Sequence, residues 1–137
     1  MTRVVDASVV ISALVATDDR STWAEEQCVG DALVAPHLLP AEVASQLRRS
    51  VASGLLPQEI AALALDDLAD LAITYYAAEP HLARIWELRD NLPAYDAWYV
   101  ALAESLQAPL ATLDLRLVSA PGSRCTFLTP SDDGPPR

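Results

Sequence analysis

The chain is expected to fold as an α/β domain, with a central, mainly parallel five-stranded sheet covered by helices on both sides. Short apolar, β-branched runs alternate along it with longer segments whose apolar residues recur at three and four. At 137 residues and 52% apolar content it suits one compact domain with an ample core. Aspartates close two of the expected strands, at the carboxyl ends where parallel sheets bind ligands.

Residues 3–6 read as a strand ending at Asp6, and Val9, Val10, Ile11 and Leu14 continue it into a helix. Thr22 followed three positions later by Glu25 matches a capping box, so a second helix is expected from there to near Gly30. Residues 32–35 form a second strand. Pro40 opens a helix with apolar Val43, Leu47 and Val51, which places Glu42 in its first turn, and Gly54 ends it. Pro57 opens the next helix, whose inward face is read as Ile60, Leu63, Leu68 and Leu71.

Residues 72–76 make a third strand, and Pro80 starts a helix carrying Leu82, Ile85, Trp86 and Leu88. From residue 93 to 106 the pattern is again helical, with Asp96, Tyr99 and Ala103 on one face. Residues 109–113 give a fourth strand ending at Asp114, and residues 125–128 a fifth. One domain over residues 1–130 is expected, followed by a polar, proline-rich tail, 131–137, that frays.

Composition narrows the function. No apolar run reaches the roughly 20 residues that cross a bilayer, and the start lacks a signal peptide's basic stretch, so a cytoplasmic protein without membrane contact is expected. All nine basic side chains other than histidine are arginines. Without a lysine or a glycine-rich loop, a P-loop nucleotide site is excluded. Neither His37 nor His81 has zinc-ligand spacing to Cys28 or Cys125, and the two cysteines are read as thiols. A net charge of −10 argues against broad electrostatic capture of nucleic acid.

Asp6, Glu42, Asp96 and Asp114 carry the chemistry. Two carboxylates about 5 Å apart repel by roughly 3 kcal/mol at an effective dielectric of 20, so a fold that gathers four must protonate some or bind cations. An oxygen-only donor set suits Mg²⁺, which retains waters, lowers their pKa and neutralises charge on a phosphate. Each acid also has a plainer role. Glu42 and Asp96 complement the positive ends of their helices, and Asp6 and Asp114 suit turns that bond their own backbone. Only their coincidence favours a metal-dependent nuclease.

The blocks Val5-Asp6-Ala7-Ser8, Pro40-Ala41-Glu42-Val43, Ala94-Tyr95-Asp96-Ala97-Trp98-Tyr99-Val100-Ala101-Leu102-Ala103-Glu104 and Thr112-Leu113-Asp114-Leu115-Arg116-Leu117 resemble PIN-domain ribonucleases, specifically VapC toxins of type II toxin-antitoxin systems. The resemblance covers nearly the whole chain and implies a PIN-like three-layer α/β/α sandwich. It also implies an Mg²⁺- or Mn²⁺-dependent endoribonuclease that cleaves RNA by water attack, forms a homodimer and is inhibited by a VapB-type antitoxin.

On that reading Asp6, Glu42, Asp96 and Asp114 form the site. Asp6 and Asp96 are the principal metal ligands, Ser8 and Thr112 supply supporting hydroxyls, and Arg116 contacts a phosphate. Trp98 and Tyr99 are read as packing, and Arg48, Arg49, Arg84 and Arg89 as solvated. A catalytically weak module that binds a basic partner segment is the alternative, favoured by the acidity. A haloacid-dehalogenase-like phosphatase is disfavoured, because Ser8 stands where a second aspartate is needed and the required lysine is missing.

Overall fold

The computed structural model describes residues 1–131, so the expected tail lies outside the described residues except for Ser131. In order the elements are β1 (Thr2–Val5), α1 (Ala7–Val15), α2 (Asp19–Gln27), β2 (Ala32–Pro36), α3 (Leu39–Ala52), α4 (Gln58–Asp70) and β3 (Ile73–Tyr76). A 3-10 turn (Glu79–His81) leads into α5 (Leu82–Glu87), then α6 (Ala94–Leu106), β4 (Leu110–Ala111), α7 (Leu115–Ser119) and β5 (Phe127–Leu128).

The sheet has five strands in the order β3-β2-β1-β4-β5, and every pairing is parallel. Val4 on the central strand lies in register with Val34 on one side and Leu110 on the other. From β1 the chain steps outward through β2 to β3, then returns across β1 to build β4 and β5. Right-handed crossovers therefore place α1 to α4 on one face and α5 and α6 on the other. Packing agrees: α1 contacts α2, α3 and α4, whereas α6 lies against β1, β2 and β4. The reversal leaves a crevice at the carboxyl ends of β1 and β4.

Burial explains these positions. Val4, Val5, Val9 and Val10 are fully enclosed, each contributing about 1.5–3 kcal/mol, and Leu39, Val43 and Leu47 seat α3 at spacings of four. Helix α4 differs from expectation. It packs through Ala61, Ala64 and Leu68, while Ile60 and Leu63 are 42% and 59% exposed. Two alanines let its backbone approach α1 and α3 closely, and that face outcompetes the bulkier one.

Three local expectations are corrected. Helix α2 starts at Asp19 because Asp18 caps it, accepting from the Ser21 amide at 3.1 Å, and Thr22 lies inside the helix. Strands β4 and β5 are two residues each, shorter than their apolar runs. Arg84 is not a solvated side chain. Its Nε and Nη2 donate to the two Glu104 oxygens at 2.6 and 3.0 Å, and Nη2 also reaches the Gly122 carbonyl at 2.7 Å. Burial alone would push the Glu104 carboxyl up, but Arg84 and the Arg124 amide outweigh it and hold it below its ordinary value. This fork pins α5 and the approach to β5 onto α6.

Candidate active site

Asp6 follows β1 and caps α1, so the end of a strand and the start of a helix fix its backbone together. Only 7% of it is exposed. Its Oδ1 accepts from the Val9 amide at 3.1 Å and from the Ser8 hydroxyl at 2.6 Å, and its Oδ2 accepts from Thr112 Oγ1. Those hydroxyls are directed by backbone amides after β4: Leu113 donates to Ser8 Oγ at 3.0 Å and Asp114 to Thr112 Oγ1 at 2.9 Å. A hydroxyl that accepts from an amide turns its one proton elsewhere, and here both turn to Asp6. Ser8 and Thr112 thus stitch β1 to β4 and present a fixed carboxylate.

Glu42 stands in the first turn of α3, where Pro40 supplies a preset φ and lacks an N–H the helix would leave unpaired. Its Oε1 accepts from the Tyr99 hydroxyl at 2.7 Å. Asp96 lies in the first turn of α6 and is partly buried. Asp114 caps the short α7 by accepting from the Arg116 amide at 3.0 Å, with Arg116 Nε 3.5 Å from the same oxygen. The Arg116 side chain is otherwise open to solvent.

All four acids line one cleft of about 90 Å³, well above the roughly 10–15 Å³ that admits a water. Among the described residues, no basic side chain lines this cleft. Burial is the main cause that pushes the Asp6, Glu42 and Asp96 carboxyls above their ordinary values. Mutual repulsion adds to it: Asp114 acts on Asp6 and Asp96, while Asp96 and Asp6 act on Glu42. Hydrogen bonds to Asp6 and Glu42 oppose the rise, as does the Arg116 charge beside Asp96.

Among the described residues, no three His, Cys, Asp or Glu side chains are arranged to hold one ion. The donor chemistry nevertheless fits a hard divalent cation: four carboxylates and the Ser8 hydroxyl line the cleft, negative charge is in excess, and Mg²⁺ commonly takes one or two carboxylates with water completing its shell.

The structure brings Asp6, Ser8, Glu42, Asp96 and Asp114 to the cleft, and sets Thr112 directly behind Asp6. Arg116 stays at the rim. Asp6 and Asp114 also perform their plainer capping roles, so capping and clustering coexist. Two further lining residues have no part in the site expected from sequence. Gln46 sits one turn beyond Glu42 on α3, and Tyr99 lies three residues after Asp96 on α6. Their helical spacing from the acids carried that signal.

The chain is similar to known proteins over most of its length. The family model of the PIN domain matches residues 3–122. Ribonuclease VapC1 of Mycobacterium tuberculosis is 43% identical over 123 residues, which span 89% of this chain and 92% of the relative. Ribonuclease VapC3 of the same organism is 37% identical over 117 residues, 85% of each chain. Among solved structures, VapBC2 from Rickettsia felis, bound to a DNA fragment from its promoter, matches with a TM-score of 0.68 at 15% identity, covering 96% of this chain and 100% of that one. PAE2754 from Pyrobaculum aerophilum matches at 0.67 and 21% identity, covering 93% and 83%. The distant structures share the fold, the nearer sequences share the family, and the chain belongs to the PIN-domain family in its VapC branch.

Proposed function

We propose that this chain is the toxin of a type II toxin-antitoxin pair, an endoribonuclease that cleaves RNA with Mg²⁺ or Mn²⁺ and is restrained by a VapB-type antitoxin. The observation that carries the reading is the convergence of Asp6, Glu42, Asp96 and Asp114 on one small cleft, with no basic side chain among its described lining residues. Relatives at 37% and 43% identity are named ribonucleases, which supports the RNA-cleaving part. The working unit is residues 1–130.

Asp6 and Asp96 would hold the ion, Asp6 because its carboxylate is fixed by three donors and Asp96 because it lines the same cleft from the first turn of α6. When bound, a divalent ion supplies charge neutralisation at the phosphate and a lowered pKa for water. Ser8 and Thr112 keep Asp6 aimed. Glu42 and Asp114 orient the attacking water or extend the donor set, and Arg116 at the rim steadies a neighbouring phosphate with its planar guanidinium. Attack by water rather than by the ribose hydroxyl leaves 5′-phosphate and 3′-hydroxyl ends.

The same excess of negative charge supports a second role for the cleft, receiving a basic segment of the antitoxin. An arginine there would neutralise the carboxylates in place of the ion and block cleavage. With a net charge of −10, the chain is suited to such a partner, and a catalytically weak module acting only by this binding is the competing reading. Exposed Leu82, Trp86 and Tyr95 offer apolar surface for a homodimer. Among the described residues no helix is long and apolar enough to cross a membrane, and cytoplasmic RNA is the expected substrate. Incubation with total RNA and Mg²⁺ tests the reading: wild type should cut, Asp6→Asn and Asp96→Asn should not, and equal cutting by all three would assign the activity to a contaminant.

A further inference from the structure

Tyr99 is 2% exposed and begins the continuous buried stretch of α6 that runs through Ala103. Its ring serves the core, yet its hydroxyl lies at the cleft and donates to Glu42 Oε1 at 2.7 Å, joining residues 57 positions apart on α3 and α6. Glu42 has a long, flexible side chain and is repelled by Asp6 and Asp96, so without a donor its carboxylate would swing toward solvent. Burial, with the Glu42 charge beside it, pushes the phenol far above its ordinary value, which keeps its proton on the hydroxyl that donates to Glu42. Asp96, three residues earlier on the same helix, takes its place from the same rigid segment.

We propose that Tyr99 is a positioning residue for the cleavage site: it holds Glu42 in the acidic cleft by one oxygen and leaves the other free to act there. The proposal rests on the nuclease reading above. It assigns Tyr99 no contact with RNA, and the hydroxyl acts only through Glu42.

Tyr99→Phe keeps the buried ring and removes the hydroxyl. Measured in a cycle with Glu42→Gln, kcat should fall about tenfold in Tyr99→Phe, with KM for RNA within about twofold of wild type. In the Glu42→Gln background, Tyr99→Phe should add no more than about a twofold loss. Crystals of metal-free Tyr99→Phe should show the Glu42 carboxylate displaced from its wild-type position. Equal losses in both backgrounds, no loss in either, or an unmoved Glu42 would each overturn the proposal. A wild type that cuts no RNA overturns the nuclease reading instead, and the crystal comparison then decides whether Tyr99 holds Glu42.

Discussion

Thr112 Oγ1 donates to Asp6 Oδ2 across 106 residues of sequence, with its proton turned that way by the Asp114 amide it accepts. Fully buried Thr112 thereby couples the ends of β1 and β4, the two strands that border the crevice where the fold reverses. This relationship leads to a first prediction. Thr112→Val keeps the shape but leaves the Asp114 amide and one Asp6 oxygen without a partner. It should cost about 1–3 kcal/mol of stability in urea melts and at least about tenfold in RNA cleavage. Thr112→Ser restores the hydroxyl and should recover most of the activity; failure of that rescue would locate the role of Thr112 in its methyl group.

Asp96 should trade stability for function. Asp96→Asn removes a half-buried charge that repels Asp114, so the metal-free protein should gain a few tenths to about 1 kcal/mol. Cleavage should drop below detection in the same variant. A destabilised variant in urea melts with EDTA would show that Asp96 is held by favourable interactions rather than tolerated.

Stability should depend on pH in a direction opposite to that of a salt-bridged surface. Asp6, Glu42 and Asp96 have folded values above the ordinary 3.8, 4.5 and 3.8, so over the window above those values the folded state binds more protons than the unfolded. Their contribution is then greatest at low pH and declines as pH rises through the raised values. Glu104, held below 4.5, acts oppositely and in a more acidic range. In EDTA, Tm should therefore fall as pH rises above the ordinary carboxylate range, and the stabilisation by added Mg²⁺ should grow over the same interval. A Tm that rises with pH in EDTA would contradict the crowding of these acids.

Arg116 should matter to substrate rather than to fold. Its side chain is 94% exposed, so Arg116→Ala should leave Tm unchanged, raise KM for RNA severalfold and flatten the salt dependence of binding by roughly 0.7 in log-log slope. An unchanged slope would remove Arg116 from the phosphate path.

The alternation of apolar runs made the parallel sheet legible, and strand ends or proline-opened helices marked Asp6, Glu42, Asp96 and Asp114. What the sequence concealed follows from competition between neighbours. Helix α7 is five residues long and owes its start to the Asp114 cap, so no periodicity announces it. In α4, counting large apolar residues favoured Ile60 and Leu63, whereas close approach favoured Ala61 and Ala64. Thr22 matched a capping pattern, but Asp18, four residues earlier, captured the helix start. Tyr99 fulfilled the packing expectation with its ring, and its hydroxyl partner depended on α3 arriving beside α6, which local spacing does not encode.

A crystal of the protein soaked in Mn²⁺ and read by anomalous scattering tests the central claim, that the gathered carboxylates serve a divalent ion. The account predicts a peak between Asp6 and Asp96, lost in Asp6→Asn. A cleft that stays empty at millimolar Mn²⁺ while the same preparation cuts RNA would contradict it.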